Sequence, residues 1–289
     1  MIRVGPAGWS YPDWDGVVYP HEKSSTLHPL RYLTRFVDCL EINSTSHAAP
    51  QVESVEHWAR VLQGAPRFTL IAKLHRDFTH GEQLDDHAAQ AFMRALDPLR
   101  HAQRLSALLA QFPNSFLYEP HNVRRLGHLR ALFHELPLVL EVRHASWFTP
   151  PALASISGLG YSLAHVDMPP SWNHPPEWHE PTGPIGYLRL HGRNKTSWFD
   201  AKASRDQKYD YLYSERELAE IAERAKRIAR GHDETFVIAN NHFAGKALAN
   251  AVELLALLRG RSVPAPQELV NAYPRLAAHT KPAGQQELF

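Results

Sequence analysis

The sequence predicts an α/β fold, a single (β/α)8 barrel of the TIM type. Three observations carry this. Eight short apolar runs alternate with segments of helical periodicity; no repeat or linker interrupts them before about residue 263; and polar residues gather at the carboxyl ends of the runs. A doubly wound open sheet is the alternative. The chain has 289 residues, within the range of one barrel domain. The predicted division is a barrel over 1–262 and a proline-containing extension over 263–289 that becomes a flexible tail.

Strand one is read at 2–8, and the loop behind it carries Trp9, Tyr11, Trp14 and Tyr19. Aromatics this dense either plug the end of a barrel or make a stacking surface. A short helix at 30–37 leads to strand two at 38–43, where Glu41 and Asn43 share a face. Val52, Val55, Ala59 and Leu62 mark the next helix, and strand three at 68–73 ends in Lys73. The cleanest helix spans 85–99, with Ala88, Ala91, Phe92, Ala95, Leu96 and Leu99 on one stripe. Strand four covers 105–111, and a helix built on Val123, Leu126, Leu129, Phe133 and Leu136 follows.

Strand five opens Leu-Val-Leu-Glu-Val-Arg-His-Ala-Ser-Trp at 138–147, placing Glu141 and Arg143 on one face. Burying either charge alone is costly, so the fold must pair them or a ligand must use them. His144 and Trp147 follow directly. Strand six is read at 162–167, and a long loop rich in Pro, Trp and His runs over 168–184. Loops of that length are often lids or binding loops. Strand seven, 186–191, sets Arg189 and His191 on one face. Ser214 with Glu217 makes a capping box for a helix through Leu218, Ile221, Ala225 and Ile228. Strand eight at 235–240 ends in Asn240, and Asn241 and Gly245 precede a last helix with Leu248, Ala251, Leu254, Leu255 and Leu258 buried.

Ligand sites of α/β barrels lie at the carboxyl ends of the strands. Glu41, Asn43, Lys73, Gln111, Glu141, Arg143, Asp167, Arg189, His191 and Asn240 all fall there. A layer built only for stability would be Val, Ile and Leu, so a site is expected. Arg143, Arg189, Arg193 and Lys73 outnumber the carboxylates Glu41, Glu141 and Asp167, which suits a small phosphate or carboxylate ligand. Asn240 and Asn241 precede a helix start, a further place for an anion. Trp9, Tyr11, Asn43, Lys73, Arg143, His144, Trp147, Asp167, Arg189, Arg193, Asn240 and Asn241 are the expected ligand-binding set. Glu41, Glu141 and His191 are the candidate acid and base groups of a hydrolase acting on a phosphate-bearing substrate. Two other readings stand: a binding module without chemistry, and a sugar-handling barrel in which Trp9, Trp14 and Trp147 stack on a pyranose. No cofactor is indicated. A divalent metal held by His144, Asp167, His191 and a glutamate remains an open alternative, since barrel metal sites show no ligand spacing.

Composition excludes more than it assigns. Lys and Arg number 31 against 30 Asp and Glu, so bulk charge gives no reason to bind nucleic acid or anionic membrane. No apolar run approaches the ~20 residues of a membrane span. Cys39 is the sole cysteine, and Met1 runs straight into Ile-Arg-Val-Gly with no apolar signal segment, so a cytoplasmic location is expected. The 19 histidines are scattered, without metal-binding spacing.

Five motifs carry a resemblance: Gly8-Trp-Ser-Tyr-Pro-Asp-Trp14, Glu41-Ile-Asn-Ser-Thr45, Glu141-Val-Arg-His-Ala-Ser-Trp147, Leu190-His-Gly-Arg-Asn194 and Asn240-Asn-His-Phe-Ala-Gly-Lys-Ala247. In this order they resemble the YecE-like family, a domain of unknown function. The resemblance implies a TIM-type barrel from the first strand to about residue 260 and no established reaction. Where that family usually continues with an aromatic pair after Thr45, this chain has Ser46-His47, so the wall beside strand two departs from the family pattern. The tail Gln285-Gln-Glu-Leu-Phe289 resembles the peptide by which bacterial DNA-metabolism proteins dock on the sliding clamp. It implies a partner bound through Gln285, Leu288 and Phe289, and a link to DNA metabolism.

Overall fold

Short runs rich in Val, Ile, Leu and Ala favour strands buried on both faces, as parallel strands are. The computed structural model describes residues 1–21 and 27–282. At its centre run β1 (Ile2–Pro6), β2 (Cys39–Ile42), β3 (Thr69–Lys73), β4 (Leu105–Gln111), β5 (Leu138–Glu141), β6 (Ser162–Leu163), β7 (His165–Asp167), β8 (Gly186–Leu190) and β9 (Thr235–Ala239). All pair in parallel, in two sheets ordered β1-β9-β8-β7 and β2-β3-β4-β5-β6. The run read as one strand at 162–167 is thus divided at Ala164 between the two sheets. Ala164 keeps the chain continuous there by donating its backbone N–H to Leu140 at 2.9 Å.

The other two sheet ends also meet. Ala7 bridges Glu41, Gly8 donates to the Glu41 carbonyl at 2.8 Å, and Asp38 donates to Val4 at 3.0 Å. Gly5 makes this approach possible, because a Cβ on it would stand 1.7 Å from the Cys39 carbonyl oxygen.

Two apolar clusters follow from the alternation of side chains along the strands. The inner one takes a residue from each strand or its margin, including Ala7, Cys39, Ile71, Leu109, Val139, Ala164, Tyr187 and Ile238. The outer one lies between the sheets and the helices. Helix Asp86–His101 is capped by the Asp85 carboxylate, which accepts from the backbone of His87 and Ala88. It buries Phe92, Leu96 and Leu99 as expected, but Ala88 and Ala91 face solvent while Ala89 and Met93 are buried. Alanine carries little apolar area, so the larger side chains set the phase of the stripe. Helix Glu215–Ala229 begins with the predicted Ser214–Glu217 capping box and buries Leu218, Ile221, Ala225 and Ile228. The expected helix at 30–37 is only Pro29–Leu33.

Beyond residue 262, where the sequence shows no period, β10 (Val263–Ala265) and β11 (Thr280–Pro282) pair in parallel. Between them Leu269 and Leu276 are buried in the outer cluster. Gln285, Leu288 and Phe289 lie outside the described residues. Among the described residues, no helix is long and apolar enough to cross a membrane.

Candidate functional site

The strand ends converge on a charged layer because five of the strands, β2, β3, β4, β5 and β8, contribute polar residues to it. Glu41 stands one residue before the end of β2, while Lys73 closes β3, Gln111 β4 and Glu141 β5; β8 supplies Tyr187 and Arg189, and His191 stands one residue past it. Arg189 is the hub, at 1% exposure. Its guanidinium grips Glu41 with two bonds, Nη2 to Oε1 at 2.5 Å and Nε to Oε2 at 3.0 Å. Its Nη1 donates to Glu141 Oε2 at 3.0 Å and to Gln111 Oε1 at 3.1 Å. Glu41 also accepts from the Tyr187 hydroxyl at 2.8 Å. Arg143, two residues beyond Glu141 as the pattern required, donates to Glu141 Oε1 from Nε at 3.0 Å.

His191 bridges two strand ends. Its Nε2 lies 3.1 Å from Glu141 Oε1, and Asn240 Nδ2 lies 3.1 Å from its Nδ1. With Asn240 donating, this network assigns the imidazole proton to Nε2, as a neutral ring. Burial pushes the His191 pKa down to about 4, against the opposing pull of Glu141. Burial alone would raise the Glu141 carboxyl, but Arg189, His191 and Arg143 hold it well below the usual carboxylate range. Arg189 stays charged for the reciprocal reason: Glu41 and Glu141 outweigh its desolvation.

A cavity of about 530 Å³ opens above this layer. Of the residues expected to bind a ligand, Trp9, Tyr11, Asn43, Lys73, Arg189 and Asn240 line it. Among the described residues, its cationic groups are Lys73, Arg189 and Arg205, and no Asp or Glu lines it. Lys73 donates to Gln111 Oε1 at 2.8 Å, and burial, with Arg189 adding to it, lowers its pKa to about 8. One wall is aromatic: Tyr11 stacks on His242 at 4.5 Å, and Trp9 meets Trp58 edge-on at 5.3 Å.

Glu41, Glu141 and His191 do not line the cavity; all three are fully buried beneath it. Six expected ligand contacts are placed elsewhere, Arg143 among them, since its guanidinium is held on Glu141. Trp147 is fully buried, stacked on Phe116 with its indole N–H donating to the Phe116 carbonyl at 2.7 Å. Asp167 and Arg193 hold each other with two bonds, Asp167 accepts from Tyr213 at 2.7 Å, and Arg193 reaches Glu217 at 3.1 Å. Asn241 is spent on the Tyr211 carbonyl and Asn250. His144 caps its own turn by accepting from the Ser146 backbone. With Asp167 held by Arg193 and His144 by its turn, the metal set of His144, Asp167, His191 and a glutamate does not assemble. Trp14 is likewise buried, donating to the His242 carbonyl at 2.8 Å, so the three-tryptophan sugar platform does not form.

The lining also includes His47, Trp58, Arg205, Tyr209 and His242, none of which the sequence singled out as ligand contacts. The Ser46-His47 departure from the YecE-like pattern was the available signal for one of them. Arg205 and Tyr209 arrive on the short helix Arg205–Tyr209, whose polar sequence gives no sign of facing a cavity.

The model of a protein family described as "protein of unknown function DUF72" matches residues 3–272. The chain belongs to the DUF72 family. UPF0759 protein YunF of Bacillus subtilis strain 168 is 28% identical over 273 residues, 89% of this chain and 95% of that protein. UPF0759 protein YecE of Escherichia coli K12 is 28% identical over 151 residues, 51% of this chain and 50% of that protein. Among solved structures, a DUF72 family protein from Thermotoga maritima MSB8 is 32% identical, covering 90% of this chain and 99% of that one at a TM-score of 0.78. One from Enterococcus faecalis V583 is 27% identical, covering 90% and 96%, also at 0.78.

Proposed function

We propose that this DUF72 chain is a closed (β/α)8 barrel that binds a small phosphate-bearing molecule in the cavity at its strand ends. The Ala7–Glu41 bridge, the continuity through Ala164 and the inner apolar cluster support closure. One observation carries the ligand class. Lys73, Arg189 and Arg205 line the cavity without a lining carboxylate among the described residues, while Glu41 and Glu141 are turned onto Arg189 below. A half-buried lysine whose one hydrogen-bond partner among the described residues is a neutral amide has donors left for an anion. The aromatic wall suits the uncharged part of such a ligand.

On this reading Glu41, Glu141 and His191 are positioning residues for Arg189. Binding is favoured over hydrolysis because both carboxylates are committed to cations and shielded from the cavity. The test is calorimetric titration with inorganic phosphate and glycerol phosphate, with glycerol as the uncharged control. Both anions are expected to bind. Lys73→Met weakens them about tenfold to a hundredfold, the loss of one charge-assisted hydrogen bond. Lys73 is a cation below its pKa of about 8, so affinity falls as pH rises through that value. Equal responses to glycerol and its phosphate, or none to either anion at millimolar concentration, would overturn the reading.

A further inference from the structure

A second group of ligand-type side chains stands apart from the cavity and shares no residue with it. It joins the first turn of helix Glu215–Ala229, the middle of helix Lys246–Arg259 and the turn before β11. One ligating atom from each of Glu215, Glu253 and His279 lies within 4.8 Å of the others. Glu253 is the unusual member, a carboxylate at 1% exposure. Its Oε2 accepts from Arg275 Nη2 at 2.7 Å and from Asn250 Nδ2 at 3.4 Å. Its Oε1 is buried with no hydrogen-bond partner among the described residues.

A buried carboxylate oxygen left unpaired is costly, and folds rarely leave one without a reason. Arg275 does not relieve it, because the same Nη2 also donates to the Tyr213 carbonyl at 2.5 Å. Burial pushes the Glu253 carboxyl above its usual range, the mark of an anion short of compensation. The groups beside Glu253 are chemically specific: an imidazole and a second carboxylate, both solvent-accessible at least in part.

We propose that Glu215, Glu253 and His279 bind a divalent metal ion of the zinc type, with Glu253 Oε1 as its buried ligand. Two oxygens and one nitrogen suit such an ion with water in the fourth place, whereas calcium and magnesium prefer oxygen alone. Arg275 and Asn250 act as the outer partners that orient a ligating carboxylate. Bonds of about 2.0–2.2 Å at the tetrahedral angle set ligand atoms about 3.3–3.6 Å apart, so the ion draws the three groups closer together. The bound ion would clip the β10–β11 segment to two helices distant in sequence.

The experiment uses the full chain stripped with chelator. Zinc uptake is followed by calorimetry and thermal denaturation, and cobalt substitution by visible absorption. Surface histidines also take up zinc, so the variants decide. Glu215→Ala and His279→Ala alter side chains at least partly exposed and leave the fold intact. Each is expected to weaken the tightest site by about tenfold or more, to abolish its rise in melting temperature, and to remove the intense bands of four-coordinate cobalt. If both variants bind the first equivalent as wild type does, or if zinc leaves the wild-type melting temperature unchanged, the site is overturned.

Discussion

Arg189 decides more than any other side chain, since four of its hydrogen bonds end on Glu41, Glu141 and Gln111. Arg189→Met keeps the volume and removes the charge, stranding the fully buried Glu41 without a cation and leaving Glu141 to Arg143 alone. A loss of roughly 3–5 kcal/mol in urea unfolding is expected, as for other broken buried ion pairs. Glu141→Gln costs less, because Glu41 still pairs the guanidinium. An Arg189→Met protein as stable as wild type would mean that the layer is maintained against the interests of folding, as sites kept for ligands often are. The pairing itself was legible. Glu141 with Arg143 and Arg189 with His191 are spaced two apart, and a strand's period of two puts such residues on one side. The tryptophans were not legible: Trp9 lines the cavity, while Trp14 and Trp147 are core residues with satisfied indoles. Nothing local separates them, because burial is set by what packs against a ring from elsewhere in the chain.

The strand ends and the Ser214 cap show how far local pattern reaches at the level of elements. The β10–β11 pair shows where it stops. Three-residue strands containing Pro264 and Pro282 have no period to detect, and their pairing depends on partners 17 positions apart. The salt-linked Asp167 and Arg193 misled for a related reason, since charges at a strand end can serve the helix layer as readily as a ligand. The long loop at 168–184 is tied down by histidines. His179 stacks on His165 of β7 with ring centres 3.7 Å apart, and neither His165 nitrogen has a hydrogen-bond partner among the described residues. Burial lowers the His165 pKa to about 2, with His179, Arg224, His232 and Arg227 pushing the same way. The folded state therefore favours the neutral ring, while the unfolded chain protonates it near pH 6.5. Stability is full above that value and falls below it, by up to about 1.4 kcal/mol per pH unit for this histidine. His165→Phe retains a flat ring without the proton, so its unfolding midpoint should depend less steeply on pH between 6.5 and 4. Parallel wild-type and variant curves would exclude His165 as the source.

For the molecule as a whole, the meeting of β1 with β2 is the point on which a closed barrel and an open sheet differ. Gly5→Val would drive a side chain into the Cys39 backbone, where a Cβ already has no room. The expected outcome is loss of soluble folded protein, read by expression and circular dichroism; a well-folded Gly5→Val chain would argue for sheets that need not touch. The parallel α/β character was legible because eight apolar runs alternate with amphipathic segments. The division at Ala164 was not, since a continuous run gives no hint that its halves pair with different neighbours. Pairing β1 with β9 also has a consequence in time. Ile2 finds its partner only when Thr235 has been made. At roughly 5–20 residues per second, the first strand waits on the order of 10 to 50 seconds on the ribosome before its β9 partner exists, a window in which chaperones would meet that edge unpaired.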